Sequence, residues 1–300
     1  VTIAGAHGTL TIGANGAYTY TATSVGADVF TYKIVDFDGD PSTAKLTITV
    51  ADLDTCPTVE NACNVVDETA LDNSGTQTVN GTLTVDYKAD GPGSTSGNGA
   101  FNSTGSKTGG NLTSHGSAVT VTLAGDTYTG KSADGRTVFT LQVKADGTYT
   151  FKLIDQLDHA DKTNPDDVIN LNFGFKATDT DGDVATGKVT IAVHDDGPVA
   201  VDDGVTVASA PGTVTGNVLT NDDAGADEPA PVKTVTFGTT TVEVPATGTV
   251  TIAGAHGTLT IGANGAYTYT ATSVGADVFT YKIVDFDGDP STATLTPTVA

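Results

Sequence analysis

Residues 1–51 recur as residues 250–300 with two changes, Lys45 becoming Thr294 and Ile48 becoming Pro297. Near-identity at a fixed offset marks a tandem array, in which each copy must fold by the same rules as the other. The chain is therefore expected to be one full 249-residue period plus the first 51 residues of the next, taken from something longer.

The repeat reads as β-structure. Segments 9–12 and 17–21 flank Ala14-Asn15-Gly16, and Asn-Gly between alternating runs signals a hairpin because both residues tolerate positive φ. In 45–50, Leu46, Ile48 and Val50 alternate with threonines and lysine, the period of a half-buried strand. Four such strands cannot close a sandwich. Residues 1–51 should thus lack the partner half that, for the second copy, lies upstream of residue 250. Pro297 removes a ladder donor from the terminal strand, which places that strand at a sheet edge or gives the second copy a different ending.

A second kind of unit follows. Alternating segments at 81–87, 119–123, 138–143, 148–153, 171–175 and 188–193, with no helical period, predict another β-sandwich, with a long polar loop at 89–116. The predicted fold class is all-β, with tandem immunoglobulin-like or cadherin-like sandwiches in an elongated array. The expected domains are 1–51, the C-terminal half of a repeat; 52–197, a large sandwich; and 198–300, a complete sandwich.

Charge narrows the partners. Thirteen basic against 36 acidic side chains, net −23, argue against nucleic acid and anionic membrane surfaces and in favour of cations. Hydrophobic residues at 38% argue against a disordered acidic tail. No apolar run is long enough to span a bilayer, and no signal peptide opens the chain, as expected of an internal segment whose export this leaves open. Cys56 and Cys63 either form a small disulfide loop, worth about 2.5 kcal/mol by chain entropy, or are two idle thiols.

The strongest chemical signal is a box of three aspartates two residues apart, at Asp36, Asp38 and Asp40, at Asp179, Asp181 and Asp183, and at Asp285, Asp287 and Asp289. Three like charges so close repel unless a cation gathers them, and the glycine in each box lets the backbone fold so that they converge. Hard oxygen ligands at this density favour Ca2+ over zinc, which would want His or Cys. The spacing is not that of an EF-hand. The alternative is an acidic turn. Asp52, Asp54, Asp195, Asp196, Asp202 and Asp203 sit at the expected domain junctions, where neighbours can share one ion; otherwise they are solvated linker. Asn221, Asp222, Asp223, Asp227 and Glu228 form a further acidic loop open to both readings.

Enzymatic chemistry finds no support. His7, His115, His159, His194 and His256 lie in no recognised ligand spacing, no nucleophile elbow occurs, and no glycine-rich loop opens a strand-to-helix unit.

The middle unit resembles the large repeat of giant bacterial adhesins exported by type I secretion, the repeats-in-toxin group. The matching residues are Val66-Asp67-Glu68-Thr69, Asn111-Leu112-Thr113-Ser114-His115-Gly116, Asp146-Gly147-Thr148-Tyr149-Thr150-Phe151, Gln156-Leu157-Asp158-His159 and 177–183 followed by Asp195-Asp196-Gly197-Pro198. The last unit resembles VCBS-type or cadherin-like domains through Ala200-Val201-Asp202-Asp203, 216–222 and 279–285. The resemblance implies a calcium-stiffened extender on a bacterial cell surface, supporting attachment and biofilm formation. Its partners would be neighbouring repeats of the same polypeptide, with a host-surface, glycan or matrix ligand engaged through other regions. The rival reading is a calcium-dependent module binding carbohydrate or peptide through the 89–116 loop.

Overall fold

A computed structural model describes residues 1–51 and 55–300. The chain divides into two compact units, residues 1–56 with 87–91, and residues 57–86 with 92–300. Among the described residues no helix is long and apolar enough to cross a membrane. The predicted Asp52 and Asp54 lie outside the described residues.

The first unit carries the first copy of the repeat. Thr2–Ala4, Gly8–Ile12 and Tyr18–Ala22 form an antiparallel sheet, and Gly26–Val35 pairs with Pro41–Val50. The predicted hairpin closes with Gly16 alone at positive φ, 81°, Asn15 keeping an ordinary negative φ, and with Gly13 N–H donating to the Ala17 carbonyl.

The second unit contains two sandwiches built the same way. In one, a four-stranded sheet of Ser94–Gly105, Val168–Thr178, Val184–His194 and Ala62–Asp67 faces a six-stranded sheet running from Thr113–Ser114 to Gln77–Thr82. Phe139, Phe151, Phe173, Leu141 and Ile191 fill the space between, because alternate residues of each strand point inward. In the other, Asp203–Val207, Pro290–Val299, Phe279–Val284, Val232–Phe237 and Thr240–Glu243 form one sheet. Gly212–Asn217, Ala266–Ala271, Gly257–Gly262 and Thr249–Ala253 form the second. In both sandwiches the first strand pairs in parallel with the last, Ala62–Asp67 with Val184–His194 and Asp203–Val207 with Pro290–Val299.

The two copies of the repeat test how much burial depends on partners. Tyr281 and Ile283 are 1% and 0% exposed in a core shared with Val207, Val218, Val232 and Val235. Their counterparts Tyr32 and Ile34 are 41% and 62% exposed. The sequence is the same, so the difference comes from the strands that residues 203–237 supply to the second copy.

Two expectations need correction. The segment 89–116 is not a long loop, since Ser94–Gly105 is a twelve-residue strand paired along Val168–Thr178 with a bulge between Gly97 and Phe101. It was illegible because only Phe101 packs into the core, against Phe139 and Phe173, while a Cβ at Gly97 would press on Leu123 and Tyr128. The predicted strand at 81–87 is instead Gln77–Thr82 and Val85–Asp86. Of the two readings of Cys56 and Cys63 the unbridged one holds, and Cys63 is fixed in the parallel ladder opposite Thr190 with its thiol exposed.

Pro297 is not at an edge either. Pro290–Val299 lies between Asp203–Val207 and Phe279–Val284. The proline's effect is local. In the first copy Gly26–Val35 is one strand with Asp28 opposite Ile48, whereas in the second it splits into Gly275–Ala276 and Phe279–Val284, interrupted at residue 277 opposite Pro297. Asp277 N–H still donates to the Pro297 carbonyl at 3.1 Å, but proline has no N–H to return. Pro297→Ile should close the gap, raising hydrogen-exchange protection around residue 277 by about 1 kcal/mol of opening free energy. Unchanged protection there would show that something else breaks the strand.

Candidate metal centre

Strand register brings the first group of side chains together. Asp67 pairs with His194, and His194 with Val168, so three strand ends lie side by side. The next residues outward, Glu68, Asp195 and Asp167, therefore emerge at one place, and Asp195 N–H donates to the Asp167 carbonyl at 3.0 Å. The segment 154–167 folds over them. Leu157 N–H donates to Glu68 Oε1 at 2.9 Å, and His159 Nδ1 hydrogen-bonds Asp167 Oδ1.

The second group comes from the last sandwich. The box Asp285, Asp287, Asp289 is the turn between Phe279–Val284 and Pro290–Val299. Asp285 Oδ1 accepts from Gly288 and Asp289 N–H at 2.8 and 2.7 Å, and Asp285 N–H closes the turn on the Asp289 carbonyl. Asp36 and Asp179 make the same two bonds in their boxes. The shared glycine sits at φ 104°, 112° and 121°, a region that side chains with a Cβ avoid, so the turn requires it. Asp227 joins from the connection before Val232–Phe237, its carbonyl accepting from Phe286 N–H.

The two groups meet at the seam of the sandwiches. His159 N–H donates to Asp287 Oδ2 at 2.8 Å, Gln156 Nε2 donates to Asp227 Oδ1, and the His115 and Phe286 rings meet edge to face at 5.7 Å. Ligand atoms of Asp195, Asp227 and Asp287 lie within 4.8 Å of one another, as do those of Asp285, Asp287 and Asp289, and those of Glu68, His159 and Asp195.

Glu68 Oε2, Asp195 Oδ2, Asp227 Oδ2, Asp285 Oδ2, Asp287 Oδ1 and Asp289 Oδ1 are buried with no hydrogen-bond partner among the described residues. At about 1–3 kcal/mol each, six such oxygens would cost as much as a domain's entire stability. Protons or a cation must therefore be held among them. Without a cation the acids are driven to keep protons: burial pushes Glu68 up to about 7, Asp195 to about 9, Asp227 to about 11 and Asp287 to about 7. In Asp227 the charges of Glu68, Asp287 and Asp195 add to that effect. The donor set at 285–289 with Asp195 and Asp227 is all hard oxygen, which fits Ca2+.

The predicted residues divide accordingly. Asp195, Asp285, Asp287 and Asp289 are brought together with Asp227. Asp36, Asp38 and Asp40 also converge, but exposed, and the Asp38 carboxyl with the backbone N–H groups of Asp40 and Gly39 holds Asp36 below its usual range. Asp179 is buried with Oδ2 unpartnered, and its ligand atom lies within 4.8 Å of that of Asp181; Asp183 N–H caps Asp179. The others meet protein donors. Asp196 accepts from Thr69 Oγ1 and Ala226 N–H at 3.1 Å each and so ties the two sandwiches directly. Asp202 accepts from Thr294 N–H, Asp222 from Val201 N–H and Asp223 from Gly225 N–H, and the Tyr281 hydroxyl, with one proton to give, stands 3.1 Å from Asp203 Oδ2 and 3.0 Å from Asp222 Oδ1. Sequence reasoning set His159 aside and gave Glu68 no role, although both stand in stretches singled out for their resemblance, 66–69 and 156–159.

Residues 1–49 and 195–298, together slightly more than half of the chain, match the family described as Bacterial Ig domain. Residues 64–192 match a domain of unknown function (DUF5801). No curated protein matches the chain significantly. Among similar solved structures, mouse protocadherin-24 EC1-3 is 14% identical, with 97% of this chain and 86% of that one covered at a TM-score of 0.33. Drosophila N-cadherin EC1-4 is 13% identical, with 97% and 64% covered and a TM-score of 0.28. A 1.5-MDa bacterial ice-binding adhesin, in a structure concerned with its host cell surface retention, is 16% identical, with 96% and 81% covered and a TM-score of 0.29.

Proposed function

We propose, from the premise that this chain belongs to the bacterial Ig domain family, that it is a calcium-stiffened extracellular stalk segment of a bacterial surface adhesin. In this reading 1–51 is the C-terminal half of a VCBS-type, cadherin-like repeat, 52–197 a large repeat of type I-secreted adhesins, and 198–300 a complete cadherin-like sandwich. The stalk holds an adhesive region away from the cell during attachment and biofilm formation and has no catalytic role.

One observation carries the proposal: carboxylates of two successive sandwiches converge at their seam with buried oxygens that no protein donor satisfies. A divalent ion there would bind Asp195 of one sandwich and Asp227, Asp285, Asp287 and Asp289 of the other, and so oppose bending between them. No observation favours the rival sugar- or peptide-binding module, whose loop is a paired strand.

Small-angle scattering with calcium and then with chelator tests the joint. Chelation should broaden the distribution of distances, and Asp287→Asn should mimic chelation in the presence of calcium. Superimposable curves under all three conditions would sink the stiffening role.

A further inference from the structure

We propose that Glu68, His159 and Asp195 form a second cation site, one containing nitrogen, that takes a divalent ion of the zinc class rather than calcium. It rests on the seam reading only through Asp195, which both groups share.

All three residues belong to the sandwich of residues 57–197, and they are 0%, 1% and 4% exposed. Each has one polar atom tied down and one left over. Glu68 Oε1 accepts from Leu157 N–H, leaving Oε2 unpartnered; Asp195 Oδ1 accepts from Asp196 N–H at 2.8 Å, leaving Oδ2 unpartnered. His159 follows the same pattern. Its Nδ1 faces Asp167 Oδ1, a carboxylate that can only accept, so the ring proton belongs on Nδ1 and the lone pair on Nε2. Asp167 is itself steadied by Asp161 N–H at 2.8 Å. Nε2 is buried with no hydrogen-bond partner, and its closest approach to Glu68 Oε1, 3.8 Å, is too long for one.

This is the arrangement in which a carboxylate orients an imidazole toward a metal: Asp167 behind His159, with Nε2 and two carboxylate oxygens converging within 4.8 Å. Imidazole nitrogen is a poor ligand for calcium and a good one for zinc and its first-row neighbours. A structural ion pair between a protonated His159 and Glu68 explains the geometry less well, because it leaves the Nε2–H without an acceptor. The ion would fasten the entry and exit strands of this sandwich to the 154–167 segment. Asp167 acts as a positioning residue.

The test is titration of Zn2+ by calorimetry into the full chain with calcium already saturating. One tight zinc site per chain is expected. His159→Gln should weaken it at least 100-fold while calcium binding persists, and Asp167→Asn should weaken it about 10- to 100-fold. Asp287→Asn should weaken calcium and leave zinc, so the two sites can fail separately. Because a core histidine variant can unfold, Co2+ bound to the unaltered chain supplies a second readout, with visible absorption and a paramagnetically shifted imidazole proton expected. Absence of zinc binding, equal zinc affinity in parent and His159→Gln, or a Co2+ complex with no nitrogen ligand would each overturn the assignment.

Discussion

Calcium added to the chelator-stripped chain is expected to raise the unfolding midpoint of the two joined sandwiches by about 10 °C. An ion that binds only the folded state at a thousand times its dissociation constant contributes about 4 kcal/mol. Each kcal/mol moves a domain of this size by roughly 2–4 °C. The full effect is expected because unfolding would return six orphaned oxygens to water and release the ion together. In the first copy Asp36, Asp38 and Asp40 are exposed, so calcium has no buried charge to relieve there. Differential scanning calorimetry at fixed pH decides the matter, and a midpoint indifferent to calcium would remove the metal from the account of this seam.

The second large effect concerns pH in chelator. Glu68 and Asp287 are pushed up to about 7, Asp195 to about 9 and Asp227 to about 11 in the folded chain, while unfolded carboxyls titrate near ~4. Between those values the folded state keeps protons that the unfolded state has released, so stability must fall as pH rises, by up to about 1.4 kcal/mol per unit for each such proton. With no ion on Nε2, His159 takes up a second ring proton and acts in the same direction. Burial lowers it, but Glu68, Asp195 and Asp167 outweigh that and hold it at about 9, so its contribution is complete below ~6.5 and is lost as pH climbs through 9. The metal-free chain should therefore melt at a higher temperature at pH 5 than at pH 8. Calcium should reverse the order, since it competes with protons for the same oxygens. Melting curves at four pH values, with and without chelator, would show it. A flat profile in chelator would mean that the carboxylates are better solvated than their burial implies.

What the sequence reveals here follows from how local each signal is. The Asp boxes and the Asn-Gly hairpin are legible because their turns are specified within five residues, down to the glycine at positive φ. Alternation marks strands such as Thr148–Leu153, whose inward residues are all apolar. It cannot mark Ser94–Gly105, whose place in the sheet is set by a backbone ladder and by one phenylalanine. The seam is only half legible. Asp285–Asp289 declares itself, but Glu68, His159 and Asp195 come from segments far apart in sequence and converge through the register linking Asp67, His194 and Val168. A side chain's role there is fixed by which strand end lies next to which, and periodicity carries no such information. Asp202, Asp203 and Asp222, acidic residues near the same junction, meet neighbours that periodicity does not announce, Asp202 accepting from Thr294 N–H and Asp222 from Val201 N–H.

The parallel pairing of first and last strand in each sandwich has a mechanical consequence. If the two ends of such a domain are pulled apart, the tension runs along neighbouring strands in opposite senses. Six residue pairs in one sandwich and five in the other are then loaded in shear and must rupture together, whereas a hairpin peeled from one end gives way bond by bond. Pro297 stands opposite Val205 in the shorter of these clamps, but the N–H it lacks would face Asp277 on the other side, so the clamp keeps its ladder, and with five pairs against six that sandwich is expected to yield first under force.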